Sequence, residues 1–129
     1  MFKTIVFASA LCVTGILSLA SAADAKKPDL TKCAAVCKEC AKECESCEKC
    51  CVTAKRDACA KMCQTCARMC HVCSELCATN SPLAPDAIKL CTKVCKECAA
   101  MCDKSDAECC KECAKVCKAC AKACEEALK

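Results

Sequence analysis

Twenty-four of the 129 residues are cysteine, and their spacing sets the chemistry open to them. Cys12 stands alone near the start. The others fall in four blocks. The first is Cys33, Cys37, Cys40, Cys44, Cys47 and Cys51, with Cys50 added. The second is Cys59, Cys63, Cys66, Cys70, Cys73 and Cys77, and the third is Cys91, Cys95, Cys98 and Cys102. The last is Cys110, Cys113, Cys117, Cys120 and Cys124, with Cys109 added. Thiolates are nucleophiles and soft metal ligands. A catalytic cysteine comes singly or in a redox pair, with a base nearby. Here there is one histidine and no glycine-rich phosphate loop, so no enzyme is expected. Repetition at a fixed interval serves capacity rather than turnover.

Within the blocks the steps alternate four and three. That is the a/d repeat of a packed helix seam, with cysteine where leucine would normally stand. Position e is then mostly alanine: Ala34, Ala41, Ala60, Ala67, Ala99, Ala114 and Ala121. Position g is often apolar: Val36, Met62, Met69, Leu76, Val94, Met101 and Val116. Lys38, Glu39, Lys42, Glu45 and Lys49 fall on the outer face. Phase breaks separate the blocks. Cys51 to Cys59 and Cys102 to Cys110 are each one residue too long for the repeat. Asn80, Ser81, Pro82 and Pro85 mark a loop between the second and third blocks. Asp57 reads as an N-cap, and Ser105-Asp106-Ala107-Glu108 as a capping box. Helices are predicted near 29–52, 57–79, 85–103 and 106–127. Short links make sequential helices antiparallel neighbours. The expected fold is all-α, an up-down four-helix bundle over 26–129 with cysteines lining its core.

Composition agrees. One glycine and three prolines cannot supply the turns of a loop-rich disulfide scaffold. The net charge of +4 is mild and mixed, without the basic run or aromatic platform that nucleic acid needs. Residues 1–25 read as a secretory signal peptide: Lys3, an apolar stretch from Ile5 to Leu19, then small-residue cleavage patterns ending at Ala22 and Ala25. The protein is expected to be exported, to the periplasm, with no membrane association after the signal is removed. Cys12 leaves with that segment, and 23 of the 24 cysteines remain.

Export raises a difficulty, because oxidising compartments convert thiols to disulfides. Four readings of the cysteines compete. Pure packing would favour leucine, which buries more area. Disulfides fit poorly within a helix, where Cβ atoms four residues apart lie about 5–6 Å from each other against about 3.8 Å in a disulfide; bridges between helices stay open. Iron–sulfur clusters favour Cys-x-x-Cys loops over a rigid seam. A metal held by Cys-x-x-x-Cys pairs spans the helical gap through two bonds of about 2.3 Å. Zinc or cadmium with four thiolates each would bury much negative charge. Copper(I) needs two or three thiolates and leaves the core near neutral, so charge balance favours multiple Cu(I) ions per chain. The alternative is a metallothionein-like zinc or cadmium binder, or a disulfide-rich structural or redox-buffering protein.

The repeated Cys-x-x-x-Cys seam across 29–127 resembles the bacterial copper storage protein family. That resemblance implies a four-helix bundle whose inward cysteines hold many Cu(I) ions. It implies copper sequestration or detoxification, or supply to exported cuproenzymes through a client or chaperone, and a homotetramer. The chain departs from exported relatives in carrying more cysteines and no twin-arginine signal.

The up-down topology brings one end of helices 1 and 3 beside the starts of helices 2 and 4. Cys50, Cys109, Met62 and Met101 fall there, with Met69 one heptad further in. Thiol and thioether suit Cu(I) capture, so this end is the expected mouth, with Met62, Met69 and Met101 as its capturing ligands. Interhelical packing is the plainer role for the methionines. His71, at position b, is expected to be a surface residue.

Overall fold

In a computed structural model, residues 29–129 are described. The proposed signal peptide, its cleavage sites and Cys12 lie outside the described residues. The chain forms α1 (Thr31–Thr53), α2 (Asp57–Ala78), α3 (Ala84–Cys102) and α4 (Glu108–Ala127). The four predicted helices are all present, each end within two residues of its expected place.

Two helix stops follow one device. α1 ends with Lys55 in the left-handed region at φ 58°, and α2 with Asn80 at φ 53°. Behind Lys55, the amides of Lys55 and Arg56 donate to the Val52 and Cys51 carbonyls at 3.1 and 2.8 Å. Behind Asn80, the amides of Asn80 and Ser81 donate to Cys77 and Leu76 at 3.1 and 2.9 Å. Both are Schellman closures, which pair otherwise orphaned carbonyls.

The predicted starts are corrected. Asp57 is the first residue of α2 rather than its cap, and Arg56 precedes it without a side-chain cap bond. The capping box does not form, because α4 begins at Glu108 after an extended Ala107. The Ser105 hydroxyl instead accepts from the Ala107 amide at 3.2 Å, a local turn that competes with helix. Pro85 sits in the first turn of α3, where its missing N–H costs nothing.

The helices form a ring in the order α1–α2–α3–α4, each packed on its two neighbours. The α1/α2 and α3/α4 seams run along the alanine-rich e positions and approach most closely. All seven predicted e alanines are buried. On the α1/α2 seam the Ser74 hydroxyl even donates to the Ala34 carbonyl at 2.8 Å. The α2/α3 and α1/α4 seams run along g, where Val, Leu and Met half-bury against the core. The two ends of the bundle differ. At the end holding the start of α1, the core is closed by Leu30, Ala84, Ala87 and Ile88. At the other end cysteine continues to the last turn, through Cys51, Cys59, Cys102 and Cys110.

Candidate metal centre

A/d placement turns every block inward. Among the described residues 21 cysteines are free thiols, and all 21 are buried. Side by side, they replace the aliphatic core; Leu30 and Ile88 are its large apolar members. Sulfur meets sulfur along the whole axis. Cys33 lies 3.7 Å from Cys124 and Cys44 3.6 Å from Cys117, both between α1 and α4. Cys70 is 3.8 Å from Cys91 and 3.7 Å from Cys95, between α2 and α3. Diagonal helices, whose backbones stay apart, meet through sulfur: Cys37 to Cys91 at 4.0 Å and Cys66 to Cys117 at 3.9 Å.

Pairs four residues apart behave as expected. Cys47–Cys51, Cys91–Cys95 and Cys113–Cys117 each hold their sulfurs 3.9 Å apart, too far for a disulfide. With a metal–sulfur bond of about 2.3 Å, sulfurs around a trigonal ion stand about 4.0 Å apart, and around a tetrahedral one about 3.8 Å. A linear ion needs about 4.6 Å. The contacts therefore suit trigonal or tetrahedral coordination, with modest opening for linear.

Sulfurs also gather in fours, each set within 4.8 Å of one another. These include Cys33, Cys37, Cys73, Cys124; Cys37, Cys91, Cys120, Cys124; and Cys40, Cys66, Cys70, Cys95. Two more are Cys40, Cys44, Cys66, Cys117 and Cys44, Cys98, Cys113, Cys117. The sets overlap: Cys37 and Cys124 belong to two, as do Cys40, Cys66, Cys44 and Cys117. Overlap provides sulfurs able to bridge neighbouring ions, and contacts between sets, such as Cys70 to Cys91 at 3.8 Å, join them into one ribbon.

Electrostatics bear on what can fill that ribbon. Burial pushes the Cys47 and Cys59 thiols up. Cys77 is pushed up to about 11, by burial first and then by the neighbouring Cys33. Cys44 is raised by its bonds to Cys113 and then Cys117. Cys66 goes the other way, lowered by bonds from Cys117 and then Cys40. Cys120 is lowered by Cys124 and then Cys37. A few thiolates are thus tolerated only because adjacent thiols stay protonated and donate to them. The core can ionise throughout only if cations enter to neutralise it.

Cys50 and Cys109 stand apart. Both lie at g, on the α1/α4 seam, half-buried, and they are joined to each other by a disulfide. This corrects the expectation that both serve as thiolate ligands with the rest: the g register faces them to each other across the seam instead of onto the axis. A single interhelical bridge is what sequence left open for disulfides.

Met62, Met69 and Met101 are half-buried at g and pack against the thiol core. His71 is exposed, its Nε2 2.5 Å from the Glu45 carboxylate on α1. It lies on a surface groove of about 490 Å³ with Lys38 and Lys42, outside the sulfur ribbon. No helix among the described residues is long and apolar enough to cross a membrane.

Residues 26–129 match the family described as Csp, copper storage protein. Among solved structures, the Cu(I)-bound copper storage protein BsCsp3 superposes with a TM-score of 0.72 at 28% identity, covering 76% of this chain and 96% of that one. The apo form of copper storage protein 3 from Bacillus subtilis gives 0.71 at 30% identity, covering 75% and 96%. No curated protein matches.

Proposed function

The chain belongs to the copper storage protein family, and from that premise we propose that it binds and stores many Cu(I) ions along its buried sulfur ribbon. The observation that carries this reading is the overlap of the cysteine quartets. Shared sulfurs bridge ions, so capacity grows with ribbon length while net charge stays small. Charge balance disfavours zinc or cadmium, because ions held by four thiolates each would bury net negative charge in the core.

The ligands assigned are the 21 buried cysteines from Cys33 to Cys124. The mouth is the end carrying Cys51, Cys59, Cys102 and Cys110. Support for it comes from the apolar closure of the opposite end by Leu30 and Ile88. Met62 and Met101, half-exposed at the mouth, capture the ion, and Met69 receives it one heptad inward. Export to the periplasm is the reading of residues 1–25, supported by Lys3, the apolar stretch and the Ala-x-Ala patterns. There the store supplies or protects exported copper proteins, handing ions to a client or chaperone, and works as a homotetramer.

Titration of reduced protein with Cu(I) against a competing chelator tests the reading. Saturation far above four ions per chain is expected. Saturation at one or two would end it.

A further inference from the structure

Two cysteines outside the ribbon form a second chemical site. Cys50 closes the last turn of α1 and Cys109 opens the first turn of α4, joined by a disulfide at the mouth. Both are half-buried, whereas the 21 free thiols are buried. Among the described residues they are therefore the cysteine sulfurs that a reagent in solution reaches first. Each precedes a core cysteine, and those two, Cys51 and Cys110, hold their sulfurs 3.7 Å apart. Cys47 and Cys59 lie 4.0 and 3.9 Å from Cys110. The bridge also crosses the looser α1/α4 seam, where Val36 and Val116 occupy g further along.

We propose that Cys50–Cys109 is a reversible redox site that sets the capacity of the mouth, opened by a dithiol reductant and closed by a disulfide oxidant. The proposal rests on the storage reading. In the opening step a thiolate of the external dithiol attacks one bridge sulfur. The Cys50–Cys109 bond breaks, the other sulfur leaves as a thiolate, and a mixed disulfide forms. The second external thiol then attacks that mixed disulfide and frees the remaining cysteine. Two electrons pass to the protein, two protons end on its thiols, and the reductant leaves as its own disulfide. A Cu(I) ion can then take the two new thiolates, displacing their protons, directly above Cys51 and Cys110. Oxidation reverses the sequence.

The test uses the whole chain in two states, untreated and reduced with a dithiol that is then removed without air. Differential alkylation with mass mapping should find Cys50 and Cys109 blocked together before reduction, with the core cysteines free. Cu(I) capacity should rise by about one ion per chain on reduction, since two thiolates satisfy one ion. In Cys50→Ser plus Cys109→Ser the rise should vanish, leaving the lower capacity in both states. Because both wild-type states are compared directly, the result stands even if that variant folds poorly. Equal capacity in the two wild-type states overturns the proposal, as does finding Cys50 and Cys109 unpaired before reduction. Failure of the storage reading looks different: one or two ions in either state.

Discussion

The Cys44 sulfur lies 3.6 Å from the Cys117 sulfur across the α1/α4 seam, and both sulfurs belong to two overlapping quartets. A bridging sulfur serves more than one ion. Cys117→Ser should therefore lower Cu(I) capacity by about two ions, more than the single ion lost when an isolated two-thiolate site is cut. Chelator competition on the reduced variant reads this. A loss of one ion or none would mean that the ions sit in separate sites.

Metal-free protein should lose stability as pH rises from about 9 to about 11. Cys77 has its thiol pushed up to about 11 from an ordinary 9.0, and Cys47 and Cys59 are raised as well, with burial the leading cause for all three. Between those values the unfolded chain has lost these protons while the folded chain still holds them. The folded state binds more protons, so its stability is full below pH 9 and falls through this window. Groups held low, such as Cys66 and Cys120, work the other way as the unfolded chain loses its thiol protons near pH 9, and their contribution is level above that, so the fall belongs to the upper part of the window. Denaturant unfolding at pH 7, 9 and 11 measures the effect. In the Cu(I)-loaded protein the thiols are already deprotonated, and the sensitivity should move to acid, where protons compete with the metal. A loaded protein with the same alkaline loss as the metal-free one would contradict the assignment of these thiols as ligands.

Much of this architecture is legible in the sequence, for a specific reason. The a/d alternation of cysteine and the e alanines carry one period through all four helices, and period is what sequence preserves best. The helices, the inward face and the buried e positions followed from it. Helix starts did not, because local turn chemistry decided them: Ser105 bonded the Ala107 amide and forestalled the capping box. The fate of Cys50 and Cys109 also escaped. Their off-register position was visible, but that two g positions would face each other depended on which helices are neighbours around the ring.

Lys55 holds a left-handed conformation at φ 58° to close α1, a geometry that glycine adopts without a Cβ clash. Lys55→Gly should raise the stability of the metal-free bundle by about 1 kcal/mol. The effect should appear as a higher denaturant midpoint at an unchanged slope. A lower midpoint would show that the lost side chain or the added unfolded-state entropy outweighs the relief.

Ile88 is fully buried at the closed end, in a core that, Leu30 apart, is otherwise built of cysteine and alanine. Ile88→Ala should destabilise the metal-free protein by about 2–4 kcal/mol. Loading with Cu(I) should raise wild type and variant alike, because ligand bound only by the folded state stabilises it by mass action, and should leave the loaded variant more stable than metal-free wild type. Thermal unfolding of both forms checks this. A loaded variant that unfolds no higher than metal-free wild type would show that the apolar end, and not the cargo, holds the bundle.

Direction of loading is the remaining question, and the two ends of the bundle make opposite offers. At one end Leu30, Ala84, Ala87 and Ile88 seal the core with side chains that carry no ligand atom. At the other, Met62 and Met101 sit half-exposed at g, flanking Cys59, Cys63 and Cys102. A thioether binds Cu(I) weakly enough to release it to the thiolates beneath, so its removal should change rate and not final content. Met62→Leu plus Met101→Leu keeps volume and apolar burial nearly constant. Stopped-flow loading from a weak Cu(I) complex should slow severalfold at the same end-point stoichiometry. Loading at the wild-type rate would leave these methionines as packing alone and return the choice of mouth to the cysteines.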